Sequence, residues 1–250
     1  MIQKLEEPSQ AASLFSGWNE TMIWSCLQGI MGAIYVSGSR AALALLGDFT
    51  FFAGEPDPEL VSFRPEADTR DFLILVPPDE AWSRLIEAIY GEKAHFRIRY
   101  AMKKEPDVFD RNRLNRLASS LPDGVEIRMI DEEIYYQCRR EEWSRDQVSL
   151  YPDYETYQKL GLGAAALKDG KLIAGASSYS RYRDGIEIQI DTRADFRRQG
   201  LATACGARLI LECLDRGIYP SWDAQNRWSM ALAEKLGYHF DYEYGVYEIW

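Results

Sequence analysis

The stretch 186-IEIQID-191 followed by 195-DFRRQGLATACGARLILECL-214 constrains the fold more than any other part of the chain. Apolar and polar residues alternate in the first segment, which predicts a half-buried strand. The second segment turns on a cationic, glycine-containing hook and becomes an apolar run at helical spacing. First turns of helices usually carry acids, because the dipole and the unpaired amides there favour negative charge. A first turn preceded by Arg197 and Arg198 therefore points to an external anion. Gly200 removes the Cβ that would hold a ligand away from the backbone, and small Ala202 keeps the turn open. Adjacent guanidinium groups suit a polyanion, most simply a pyrophosphate. The bland alternative is a solvated glycine loop.

The surrounding order gives the hook a context. Before it lie a strand 125–130, a helix 131–143 opened by an aspartate, a short helix 154–160 and a hairpin turning on Asp169-Gly170. After it come a strand 219-YPSWDA-224, a helix 226–236 and a terminal strand 238–250. In the N-terminal part, Phe15, Trp18, Met22 and Cys26 share a helical face within 11–27, and 41–53 reads as strand, turn and strand. The run 72-FLILV-76, a helix with Trp82 on its apolar stripe, and 95-HFRIRYAM-102 follow. Two prolines and a charge run between 103 and 124 predict the seam, giving an α+β domain over 1–122 and a second domain over 123–250.

The second domain resembles the GNAT superfamily of N-acetyltransferases. Its acyl-CoA signature, Q/R-x-x-G-x-G/A, is matched by Arg197-Arg198-Gln199-Gly200-Leu201-Ala202, and 226-NRWSMALAEKLGY-238 is similar to a second marker, an asparagine and a helix ending in K-x-G-F/Y. The resemblance covers about residues 124–250; more closely, the whole chain resembles a bacterial subfamily in which such a module follows an N-terminal domain. It implies a mixed, mostly antiparallel central sheet flanked by helices, in an α+β fold. It also implies acetyl-CoA as co-substrate: the amides of Arg198, Gln199, Gly200, Leu201 and Ala202, continued by Thr203, would bind the pyrophosphate, with Arg197 beside them. Ile190, Asp191 and Thr192 stand where the family's splayed strand holds the pantetheine arm. Asn226, with Ser229 after it, would reach the pantetheine or a water near the thioester, or act as a helix N-cap.

An acetyl transfer to an amine needs a base, an oxyanion donor and a proton for the thiolate. On 186–191 the polar face holds Glu187, the first candidate base, and Asp191, the second; an ordinary solvated strand face is the alternative. The family's usual tyrosine acid is here Ala233, which leaves Ser229, Tyr238 or water; the alternatives are a packing role for Ser229 and a place in the strand core for Tyr238. Glu141, Glu142, Trp143, Asp146 and Tyr151 form either an acidic, aromatic mouth for a cationic amine or a solvated helix face.

The formal net charge of −10 argues against nucleic acid or an anionic membrane as partner. Four scattered cysteines and two histidines offer no metal cluster, and point to free thiols in a cytoplasmic protein. The expected activity is acetyl-CoA-dependent N-acetylation of a small-molecule or peptide amine by direct attack in a ternary complex. A catalytically silent acyl-CoA sensor and a protein-interaction module stand as alternatives. The N-terminal domain is either an unrelated α+β domain or a degenerate copy of the acetyltransferase fold, without the hook, that shapes the cleft or a homodimer interface.

Overall fold

The computed structural model describes residues 1–66 and 70–250. It forms two compact units, Met1–Arg99 with Glu243–Trp250, and Tyr100–Tyr242. The units run differently from the halves expected on either side of residue 122. Leu114, in the middle of the charge run, is fully buried in the second unit's core together with Tyr100 and Met102. A charged surface hid one apolar stripe, Leu114 with Leu117 and Ala118, and that stripe decides which core the segment joins.

The first unit contains β1 (Ile2–Lys4), α1 (Thr21–Leu27), β2 (Ala33–Ser37), β3 (Ala41–Leu46), β4 (Phe49–Gly54), α2 (Pro58–Ser62), β5 (Leu73–Val76), α3 (Glu80–Tyr90) and the first part of β6 (Ala94–Met102). Strands β1 to β5 lie in sequence order, antiparallel except for β4 with β5. The returning C-terminal residues Tyr247, Glu248 and Ile249 pair antiparallel with Leu75, Ile74 and Leu73. The expected helix over 11–27 is shorter, with only Thr21–Leu27 α-helical, yet Phe15, Met22 and Cys26 are buried. Asp79 caps α3 by accepting from the amides of Ala81 and Trp82. Trp82 stacks on Phe52 at 4.7 Å and donates its Nε1–H to the Gly54 carbonyl at 3.0 Å.

The second unit contains α4 (Arg111–Ser119), β7 (Val125–Met129), α5 (Glu132–Arg140), a 3-10 turn at Glu142–Gln147, α6 (Tyr154–Leu160), β8 (Gly163–Lys168), β9 (Lys171–Tyr182), β10 (Gly185–Thr192), α7 (Leu201–Asp215), β11 (Tyr219–Ser221), β12 (Asp223–Ala224), α8 (Arg227–Leu236) and the first part of β13 (Phe240–Ile249). Its sheet runs β11-β10-β9-β8-β7, antiparallel except for β10 with β11. This is the mixed, mostly antiparallel arrangement that the resemblance implied. Asp169 and Gly170 both take positive φ, 50° and 73°, as a tight hairpin with right-handed strand twist requires. Ala164, Ala166, Ala174 and Ala176 share a core with Ile186, Ile188 and the buried side of α7, so small side chains on the strands let the helix settle close to the sheet.

The expected strand 219–224 is two strands broken at Trp222, which is buried and donates its Nε1–H to Ser229 Oγ at 3.1 Å. The break matters for the site. Gly185, Ile186 and Glu187 pair with Tyr219, Pro220 and Ser221, and there the pairing of β10 with β11 ends. A register shift at Glu187/Ile188 marks the parting point, and β10 continues to Thr192 paired with β9 alone. A Cβ on Gly185 would meet the Tyr219 carbonyl oxygen at 2.2 Å and the Tyr182 hydroxyl at 2.4 Å. Gly185→Ala is therefore expected to destabilise the protein by about 2–3 kcal/mol, read from the midpoint of urea unfolding. An unaltered midpoint would show that this junction yields freely.

Candidate active site

The hook leaves β10 through a short 3-10 turn at Ala194–Phe196 and enters α7 at Gly200. Arg198 and Gly200 both take left-handed backbone, φ 63° and 82°. For glycine this conformation is free; for arginine it is a strained choice that the surroundings must hold. Alternating left-handed residues turn successive amides toward one side of the loop, which forms an anion nest.

The first-turn amides of α7 have no partner within the helix. Helices α3, α4, α5 and α6 begin on Asp79, Asp110, Asp131 and Asp153, whose side chains accept from those amides. Gly200 cannot do this, no side chain caps α7, and its first turn holds no acid. A Cβ on Gly200 would meet nothing within 4 Å, so the space beside Gly200 at the start of the helix is open. Arg193 is bound twice by Asp195, at 2.8 and 3.0 Å, and lies over the Phe196 ring. Arg197 donates from Nε to the Thr192 carbonyl, and Arg198 has no ion pair or hydrogen bond from its side chain among the described residues. The hook thus presents open amides, an arginine held in place and an unpaired arginine, which together fit a diphosphate.

Ile190, Thr192 and residues 197–203 form one continuous strand, hook and helix. Leu201 and Thr203 point into the protein and are buried, so only their amides can face a ligand; Gln199 and Gly200 are exposed. The Thr192 hydroxyl is enclosed without a partner among the described residues. Asn226 is exposed and caps α8, its Oδ1 accepting from the Ser229 amide at 2.9 Å. Ser229 spends its hydroxyl on Trp222, so it braces the broken strand. Among the described residues, no hydrogen bond joins Asn226 or Ser229 to the hook.

Two other sequence-based expectations change. Tyr238 is not placed to protonate a thiolate. Its ring lies in the core against Phe109 and Trp222, and its hydroxyl donates to the Pro220 carbonyl at 2.5 Å. Burial raises its pKa well above the ordinary tyrosine value. Tyr151 leaves the expected acidic mouth for the same reason: it is buried and its hydroxyl meets Ser178. Ala233 is also buried, so nothing replaces the family's tyrosine there.

Glu187, Gln189 and Asp191 alternate with the core-facing isoleucines of β10. Glu187 is buried at the parting point, opposite Ser180. Asp191 is half-buried and accepts from Gln189 Nε2 at 2.7 Å. Its carboxyl is pushed up to about 6, chiefly by burial; Gln189 opposes this, Asp146 adds to it and Arg197 opposes it. All four cysteines are free and buried, and burial pushes each thiol up to about 12. Among the described residues no group of acids, histidines and cysteines is arranged to hold a metal, and no helix is long and apolar enough to cross a membrane.

Sequence reasoning passed over Gln147, which is fully buried against Gly175 on the strand beside Asp191. A glycine inside a strand was the available signal, since it marks a close approach by another group.

The GNAT acetyltransferase family model matches residues 12–247. A GCN5-related N-acetyltransferase-like protein from Streptococcus suis 89/1591 is 48% identical, with 98% of this chain and 99% of that one covered and a TM-score of 0.92. An uncharacterized N-acetyltransferase, YdfB, of Bacillus subtilis (strain 168) is 27% identical over 179 residues. That match takes in 69% of this chain but 64% of YdfB, less than two thirds of its length. A tandem GNAT protein from the clavulanic acid biosynthesis pathway, 12% identical, shares the fold with a TM-score of 0.57 over 99% of this chain and 97% of its own. With its family model spanning nearly the whole length and its hook built as an anion nest, the chain belongs to the GNAT acetyltransferase family.

Proposed function

We propose that the protein is an acetyl-CoA-dependent N-acetyltransferase that uses direct attack by an amine in a ternary complex. The observation that carries this reading is the uncapped first turn of α7, open above Gly200 and flanked by Arg197 and Arg198. The amides of residues 198–203 would hold the pyrophosphate, and the free edge of β10 beyond Glu187 would hold the pantetheine arm through its backbone. When bound, acetyl-CoA supplies the activated acyl group.

Asp191 supports the role of base better than Glu187 does. It is partly accessible, and a carboxyl at about 6 is ionised near neutral pH while still able to take a proton from an ammonium, directly or through water. Glu187 is buried at the strand junction, where its charge raises the Tyr182 and Tyr219 hydroxyls further. As the C–N bond forms and the C–S bond breaks, the nitrogen gives up its second proton and the departing thiolate takes one through water, its modest pKa demanding little help.

The first unit fits a copy of the fold that lost its cradle. Where the hook would stand it has Pro77 and Pro78, and Asp79 satisfies the amides of α3 from within the chain. The test of the whole reading is release of CoA thiol from acetyl-CoA across a panel of primary amines, with turnover expected for at least one class. Tight CoA binding with no turnover on any amine would instead favour a sensor.

A further inference from the structure

The reading above leaves the acceptor's chemistry open, and one patch of the second unit bears on it. The 3-10 turn at Glu142–Gln147 lies over the polar side of β9 and β10. Gln147 has no exposed surface, and neither its Oε1 nor its Nε2 has a partner among the described residues. Its carboxamide rests on Gly175, where a Cβ would sit 2.0 Å from Oε1 and 2.8 Å from Nε2. Gly175 is the cross-strand partner of Asp191, so the amide and the carboxyl stand side by side on one face.

Two further groups from the same turn complete the patch. Asp146 is exposed and its charge acts on Asp191. Trp143 is half-buried, with its Nε1–H enclosed and unmatched among the described residues. Gln189 already serves one oxygen of Asp191. Buried polar atoms in a folded protein are almost always matched, and a carboxamide missing both a donor and an acceptor is complementary to another amide. Beside it, two carboxylates are complementary to an ammonium.

We propose that this patch takes the acceptor and that the acceptor is an α-amino amide, free or at the end of a peptide: its ammonium lies on Asp191 and Asp146, and its amide pairs with the Gln147 carboxamide. The inference rests on the acetyltransferase reading. An alkyl amine satisfies the acids but leaves Gln147 unmatched. The 3-10 turn must part from β9 to admit the amide, and its strained hydrogen-bond geometry makes it easier to displace than an α-helix.

The test uses the full chain with acetyl-CoA and compares glycinamide with ethylamine by kcat/KM. The difference in intrinsic amine reactivity cancels when native protein and Gln147→Leu are compared. The native preference for glycinamide is expected to fall about tenfold in the variant, mainly through KM. Trp143→Phe, which keeps an aromatic side chain, though a smaller one, and removes the indole N–H, is expected to move the ratio the same way and serves if Gln147→Leu fails to fold. Calorimetry of glycinamide with the CoA-loaded protein is a readout independent of turnover. Binding that Gln147→Leu weakens, with no acetyl transfer to any amine, would uphold the patch and sink the acetyltransferase reading. An unchanged ratio and an unchanged binding constant in both variants, or no native binding of glycinamide at all, would overturn the patch.

Discussion

Gly200→Glu is expected to raise the Kd for CoA by more than about a hundredfold while leaving the protein folded, because like charges brought together in a binding site cost several kcal/mol. The new side chain would leave a backbone at φ 82° and enter open space, with nothing within 4 Å of its first carbon. Left-handed backbone costs a residue other than glycine roughly 1–2 kcal/mol, which a domain of this size tolerates. The carboxylate would then stand over the amides proposed to hold phosphate. Gly200→Asn separates the two effects, since asparagine accepts left-handed backbone and brings no charge. Calorimetry with CoA and a thermal melt of each variant check the result. Equal affinity in native protein and Gly200→Glu would mean that the diphosphate is held somewhere else.

Asp191→Asn is expected to lower kcat/KM for the amine by roughly 10²- to 10⁴-fold, the usual contribution of a positioned base. The same variant should remove an inflection from the pH profile. A carboxyl raised to about 6 is neutral below that pH and charged above it, so native activity should fall tenfold per pH unit on the acid side. The groups that set this value are Gln189 and Arg197, which favour the charged form, and Asp146, which opposes it together with burial. Asp146→Asn should therefore move the inflection to lower pH, a shift that a purely structural role for Asp191 would not produce. Glu187→Gln is the comparison: if it abolishes the inflection and Asp191→Asn retains it, the assignment of the base reverses.

The parts of this protein legible from sequence are those whose causes are local. The hook could be read because a glycine, two arginines and a strand-to-helix step lie within a dozen residues, and because left-handed backbone at Gly200 is a property of that residue. The aspartate that opens the helix at 131 and the Asp169-Gly170 turn were legible for the same reason. Sequence left Tyr238 between thiol acid and core residue because the neighbours that decide for the core, Phe109, Pro220 and Trp222, are distant in sequence or lie across a strand break.

The residues 103–124 looked like a linker because charge dominates their composition, whereas a single buried stripe on α4 determines their partner. Gln147 shows the limit most clearly. The acidic and aromatic residues on either side of it were legible, but Gln147 itself gains meaning only when β9 brings Gly175 beneath it and β10 brings Asp191 alongside. Backbone conformation and capping depend on neighbours a few residues away, so the chain alone determined the uncapped, left-handed hook at Gly200. Burial and cross-strand adjacency depend on which distant segments pack together, so only the tertiary structure decided which acid of β10 is buried, which stays partly accessible and what stands beside it.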